Sequence, residues 1–281
     1  MALKKTPKPA EKNPGSICVL ASGGSDSSIM LVDLAEHDAK VIPLYIRNGL
    51  VWEKAELYWL RRFLKAVNRP EIAPLQVLDL PMQDVYGAHW SMTGEAVPDH
   101  ASGWEQVYLP GRNLILLAKT AVYCGLNDID AIALGPLKTN LFADSSREFF
   151  SGFQQLVRRA LNRRIEILTP FSQLSKKEVM ERGRRLPLEL TFSCLNPRGK
   201  THCGACNKCA ERMAAFTDAG LKDLTSYHNP EPGNIKRAKG IAPASGRGRT
   251  STSSVESLRP DFGELSRAST PAEGATQASK H

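Results

Sequence analysis

Apolar positions change their period repeatedly along the chain, and the two periods alternate. Residues 17–21 (ICVLA) form a short apolar run that predicts a buried strand. Residues 27–36 then place Ile29, Met30, Val32, Leu34 and Ala35 at helical spacing. Further strands are predicted over 41–46, 74–80, 129–134 and 165–168, the last stopped by Pro170. Further helices are predicted over 52–67, 112–123, 146–161 and 175–185. Strand and helix in turn, with strands apolar nearly throughout, predict an α/β fold: a doubly wound, mostly parallel sheet covered on both faces. In such a fold ligands bind at the carboxyl ends of the strands.

The first strand runs into Ser22-Gly23-Gly24-Ser25-Asp26-Ser27-Ser28, and a helix follows. Glycines 23 and 24 lack Cβ, so their backbone can take positive φ and let N–H groups approach an anion. The helix amino terminus adds oriented donors, and Ser22, Ser27 and Ser28 add hydroxyls. Asp26 would repel a bare phosphate, so it points to Mg²⁺ bridging to the pyrophosphate. No lysine lies in the loop and GxxxxGK[ST] is absent, so this is not a Walker A site. The structural alternative is a Gly-Gly turn with Asp and Ser capping the helix.

Cys194, Cys203, Cys206 and Cys209 form a second constellation. CGACNKC holds two overlapping C-x-x-C turns, and Cys194 comes from the preceding segment. Four thiolates with no open position fit a structural Zn²⁺. An Fe–S cluster and a redox dithiol are the alternatives, and His202 is a possible ligand in principle. Cys18 and Cys124 stand alone and read as small buried apolar residues.

Composition narrows the setting. The chain has 281 residues, 42% apolar and 23% charged, ordinary for a soluble globular protein. No apolar run of about 18 residues exists to span a membrane. Six cysteines are too sparse for a disulfide scaffold and fit a reducing cytoplasm. The net charge of +8 lies mostly in 1–14 and 230–281, so it is weak evidence for a nucleic-acid groove. Residues 1–14 are expected to be a disordered basic extension and 229–281 a disordered tail rich in Pro, Gly, Ser and Thr.

The loop SGGSDSS resembles that of the N-type ATP pyrophosphatases, which cleave ATP between the α and β phosphates and adenylate an oxygen of the substrate. YLPGRN at 108–113, ILTPFSQLSKKEV at 167–179, TFSCLNP at 191–197 and HCGACNKCAERMAAFTDAG at 202–220 resemble, in that order, the 7-cyano-7-deazaguanine synthase family. The resemblance implies a nucleotide domain over 15–189 and a four-cysteine zinc module with a helix over 190–228. It implies that Ser22, Gly23, Gly24, Ser25, Asp26, Ser27 and Ser28 bind ATP with Mg²⁺. It further implies catalytic roles for Asp26, Ser27, Arg112 and Lys176, and substrate contacts for Arg112, Asn113 and Asp144. The substrate would be a deazapurine carboxylate, converted with ammonia through an adenylate and an amide to a nitrile. A cytoplasmic enzyme is expected, with a homodimer as one option and no membrane or nucleic-acid partner. Two segments depart from the family pattern. YIRNGLVWEKAEL at 45–57 has no counterpart of a Gly-Gln-Arg-His run, and Phe142-Ala143-Asp144-Ser145-Ser146-Arg147 replaces Tyr-Pro-Asp-Cys-Arg. A tRNA-thiolating sulfurtransferase, a ligase for another carboxylate and a non-catalytic scaffold are the rival readings. Asp144 could instead cap the helix at 145–160, Lys176 could be a solvated charge, and Trp90, Trp104 and Tyr108 could stack on a base or pack in the core.

Overall fold

The computed structural model describes residues 15–37 and 40–229, without the side chain of Trp104. The extensions expected at 1–14 and beyond 229 lie outside the described residues. The elements run β1 (Ser16–Leu20), α1 (Ser25–Ala35), β2 (Lys40–Arg47), α2 (Glu53–Val67), β3 (Gln76–Asp79), α3 (Gln83–Tyr86) and α4 (Trp90–Thr93). They continue with α5 (Arg112–Leu126), β4 (Ala131–Ala133), α6 (Arg147–Leu161), β5 (Glu166–Leu168), α7 (Lys176–Arg182) and α8 (Asn207–Asp218). The strands form one sheet in the order β3-β2-β1-β4-β5, and every neighbouring pair is parallel. Strand order reverses between β1 and β4, which opens a crevice at their carboxyl ends.

Alternation within each strand feeds two separate cores. Ile17, Val19, Val41, Tyr45, Ala131 and Ala133 point to one face, under α1, α2, α7 and α8. Cys18, Ile42, Leu44, Ile46 and Ile132 point to the other, under α5 and α6. Cys18 and Cys124 are fully buried there, as the apolar reading expects.

Element types match the sequence pattern, with corrections at the ends. Helix α1 starts at Ser25, two residues before the apolar spacing begins, because the loop itself supplies its first turn. Helix α7 stops at Arg182 rather than 185. Its next residue, Gly183, packs so tightly that a Cβ there would stand 2.5 Å from Ile29 of α1. Residues 81–111 carry α3, α4 and a 3-10 turn at Trp104–Val107, none of which the periodicity marks. Four-residue helices are too short to show a period. Their packing comes from aromatic contacts, with Trp90 stacked on Trp52 at 5.7 Å.

Candidate active site and four-cysteine cluster

The loop between β1 and α1 is built from its own hydroxyls. Ser22 N–H donates to Ser27 Oγ at 3.2 Å, and the Ser22 and Ser27 hydroxyls lie 3.1 Å apart. Gly24 N–H donates to Ser22 Oγ at 3.3 Å. Only one of the two glycines uses that freedom. Gly23 has φ +79°, whereas Gly24 is an extended N-cap with φ −68°, open to any residue. The reason lies in packing: a Cβ at Gly23 would meet the Glu56 carbonyl at 3.2 Å and Leu60 Cβ at 3.3 Å. Gly23→Ala is therefore expected to cost about 1–2 kcal/mol, with Gly24→Ala costing less. Urea midpoints at an unchanged slope measure both.

The loop opens on a cavity of about 220 Å³ at the crevice between β1 and β4. Ser22, Asp26 and Ser27 of the loop line it, with Tyr45 and Ile46 from β2, Glu56 from α2, and Arg112 and Asn113 from α5. Asp26 does not face it alone. Lys176, the first residue of α7, donates to both carboxylate oxygens of Asp26 at 2.7 and 2.9 Å and to Ser25 Oγ at 3.1 Å. A Ser175–Glu178 capping box fixes the end of α7 that presents this lysine. So Lys176 is an ion-pair partner of the loop, not a solvated charge.

Asp144 caps a helix, but not the one expected of it. Its Oδ2 accepts from the Asn113 backbone N–H at 2.9 Å, and its carbonyl accepts from Asn113 Nδ2 at 3.0 Å. It thus caps the first turn of α5 from 31 residues away. Helix α6 is capped instead by Ser146, whose Oγ accepts from Phe149 N–H at 3.1 Å. Burial raises the Asp144 pKa. The carboxylate does not line the cavity, but it aims the helix end that carries Arg112 and Asn113. Tyr108 packs on Phe142 with ring centroids 5.0 Å apart, so it and Trp90 have aromatic partners within the chain.

Two buried side-chain polar atoms have no hydrogen-bond partner among the described residues: Arg112 Nε and Ser28 Oγ. Both belong to the segments singled out in the sequence. An unmet guanidinium donor lining a cavity fits an anionic ligand.

Tyr45 and Glu56 escaped the sequence reading. Tyr45 OH donates to Glu56 Oε2 at 2.6 Å. Burial pushes the Glu56 carboxyl up to about 7, against the opposing pull of Arg112 and of the Tyr45 hydrogen bond. The signal was present in α2, where Glu56 falls on the stripe of Leu60 and Phe63 at helical spacing. A carboxylate on a buried stripe is the informative exception.

The four sulfurs of Cys194, Cys203, Cys206 and Cys209 all lie within 4.8 Å of one another, and all four residues are buried. Cys203–Cys209 and Cys194–Cys206 are each 3.9 Å apart. Tetrahedral zinc with bonds of about 2.3 Å requires sulfurs about 3.8 Å apart. Backbone N–H groups of Leu195, Cys203, Ala205 and Cys206 point at sulfurs over 3.2–3.4 Å, the arrangement that steadies thiolate charge. Gly204 reaches φ +85° to make that turn. The donor set fits zinc. His202 is not in the cluster: its Nε2 accepts from Ser193 N–H at 3.3 Å, and burial lowers its pKa to about 3.

The cluster is joined directly to the phosphate-loop side. Phe192 N–H donates to the Gly23 carbonyl at 2.7 Å. Buried Arg212 of α8 donates to Thr191 Oγ1 at 2.8 Å, to the Leu188 carbonyl at 2.7 Å and to Thr225 Oγ1 at 2.9 Å. Among the described residues, no helix is long and apolar enough to cross a membrane.

Comparison with known proteins agrees with this geometry. The profile of the family described as "Queuosine biosynthesis protein QueC" matches residues 16–220. A "7-cyano-7-deazaguanine synthase 1" of Desulfitobacterium hafniense is 30% identical over 71% of this chain and 90% of that protein. A "7-cyano-7-deazaguanine synthase" of Methanospirillum hungatei is 31% identical over 75% of this chain and 99% of that protein. One from Sulfolobus acidocaldarius is 30% identical over 81% of this chain, which spans about half the length (51%) of that relative. With its sheet order, its loop and its cysteine cluster in the matched stretch, the chain belongs to the queuosine biosynthesis protein QueC family.

Proposed function

We propose that the protein is an ATP-dependent carbon–nitrogen ligase that converts a 7-carboxy-7-deazaguanine-type carboxylate to the nitrile, 7-cyano-7-deazaguanine, with ammonia. The names of its relatives support the substrate class. The observation that carries the reading is the buried, unpartnered Arg112 Nε at the cavity wall, with unpartnered Ser28 Oγ in the first turn of α1. Arg112 opens the first turn of α5 and lines the cavity, so its unmet donor suits an anion there; Ser28 lies behind the loop.

The chain's own residues divide the work. Ser22 to Ser28 hold the nucleotide phosphates, with Gly23 letting α2 pack against the back of the loop. Asp26 would hold Mg²⁺, which would supply charge neutralisation at the departing pyrophosphate, and Lys176, paired with that carboxylate, balances its charge. Ser27 fixes the loop through Ser22. Arg112 grips phosphate or carboxylate by its planar fork, and Asp144 and Asn113 aim the helix that carries it. ATP, when bound, supplies an adenylyl leaving group to the carboxylate and then to the amide oxygen. Cys194, Cys203, Cys206 and Cys209 hold one structural Zn²⁺. Four reduced thiols fit a cytoplasmic setting. The reading requires no nucleic acid. It includes a homodimer, supported by the exposed apolar stripe Leu114, Val122 and Leu126 along α5.

The test is incubation of the pure protein with ATP, Mg²⁺, ammonium and 7-carboxy-7-deazaguanine. Expected products are AMP, pyrophosphate and the nitrile by mass spectrometry. ADP alone, or no amide and no nitrile, overturns the reading.

A further inference from the structure

Ammonia presents a problem that the activity alone does not solve. At neutral pH it is nearly all ammonium, which has no lone pair to attack a carbonyl. A site that uses it must bind a small cation, remove a proton and do so beside the activated carboxylate.

The ionisable side chains of the cavity are few. Asp26, Glu56, Arg112 and the Tyr45 phenol line it. Asp26 is matched by Lys176 at 2.7 Å. Arg112 keeps a buried donor unmet and suits an anion. That leaves Glu56, a carboxylate only 7% exposed, in the cavity wall. Its place is fixed from both sides. Its own backbone carbonyl packs over Gly23, and its Oε2 accepts the Tyr45 hydroxyl at 2.6 Å. Glu53, one turn earlier, is engaged elsewhere, accepting from Gly49 N–H at 3.0 Å. Arg112 pulls on Glu56 and Glu53 pushes against it, but neither offsets the burial of Glu56, and a carboxylate left buried beside an anion-binding loop favours a small cation.

We propose that the Glu56 carboxylate is the ammonium-binding site and the proton acceptor of the ligation step. This rests on the ligase activity proposed above. Ammonium gives one proton to Glu56 and becomes ammonia, whose lone pair forms the C–N bond to the adenylated carbonyl carbon. The bond from that carbon to the AMP oxygen breaks, and AMP leaves with the electron pair. AMP takes the second proton from nitrogen, leaving the neutral amide and a protonated Glu56 that returns its proton to water. The raised affinity of Glu56 for a proton suits this exchange at neutral pH. Tyr45 is a positioning residue that holds the acceptor oxygen.

Glu56→Gln separates the roles, because hydroxylamine is already a neutral nucleophile at pH 7 and needs no base. Ammonia-dependent AMP and amide formation is expected to fall about 100-fold, with hydroxamate formation from hydroxylamine within about 3-fold of wild type. Pyrophosphate release on the first adenylation should likewise persist. Tyr45→Phe, which keeps the carboxylate, is expected to lower the ammonia reaction about 10-fold and leave the hydroxylamine reaction unchanged. Equal losses with both nucleophiles, or loss of adenylation, would show Glu56 binding the acceptor base or the nucleotide and overturn the proposal. Pyrophosphate and amide formed by the wild-type chain in that same experiment mean the ligase reading stands even as Glu56 loses this role. With no pyrophosphate from the wild type, the ligase reading fails and takes this inference with it.

Discussion

Asp26→Ala is expected to lower pyrophosphate release about 1,000-fold while the protein still melts within about 4 °C of wild type. The two halves of that expectation have different causes. Asp26 and Lys176 form an ion pair whose side chains are 27% and 23% exposed, so solvent screens it. Such a pair is worth at most about 1 kcal/mol, and an acidic residue in the first helical turn adds about 0.3–1 kcal/mol. Nothing apolar is lost, since Asp26 sits at the mouth of the loop rather than in either core. Activity has no such margin. In the proposed function, Asp26 would hold Mg²⁺, so its loss would leave the metal without that ligand and Lys176 without its carboxylate. Lys176→Ala supplies the control. A purely structural ion pair predicts equal effects from the two variants, whereas a metal ligand predicts a far larger loss from Asp26→Ala. Steady-state pyrophosphate assays and calorimetry on the two variants decide it. Asp26→Ala that retains a tenth of the activity would remove the carboxylate from the chemistry.

What the sequence made legible follows from distance along the chain. The β–α alternation could be read because strands of a parallel sheet are apolar on both faces, and each element spans enough residues to show its period. The cysteine cluster could be read because three of its ligands sit within seven residues, where turn geometry alone unites them. Asp144 could not. Its partner Asn113 is 31 residues away, so no local pattern distinguishes a cap of α5 from a cap of α6. Glu56 was hidden by a different cause. Its place on the apolar stripe of α2 marks the carboxylate as an exception, but only the fold shows that this part of the helix closes over the loop and what the carboxylate meets there. Gly23 and Gly24 are chemically identical. What separates them is the contact with α2, which forces the left-handed backbone on one and spares the other.

Cys206→Ser is expected to do the reverse of Asp26→Ala, removing the metal and taking the fold with it. A structural zinc site of this kind contributes about 10–16 kcal/mol of apparent binding free energy. A domain's whole stability is about 5–15 kcal/mol, so losing the site leaves little margin. The segment cannot detach quietly either. Phe192 lies fully buried against the cluster and its N–H holds the Gly23 carbonyl, so the same strip of chain lines both sites. Arg212 is buried with its guanidinium on Thr191, Leu188 and Thr225. Unwinding α8 would strand that charge in an apolar setting or drag it into water together with Phe216. The wild-type protein should carry about one zinc per chain by metal analysis. Cys206→Ser should carry none, and should be insoluble or melt at least 15 °C lower by about the same reckoning. Nucleotide binding should fail in step with melting, because the Gly23 carbonyl loses its partner when residues 190–228 loosen. A zinc-free variant that melts normally and still binds ATP would mean the cluster is a separate appendage. The 2.7 Å bond from Phe192 to the phosphate loop is the reason to expect otherwise.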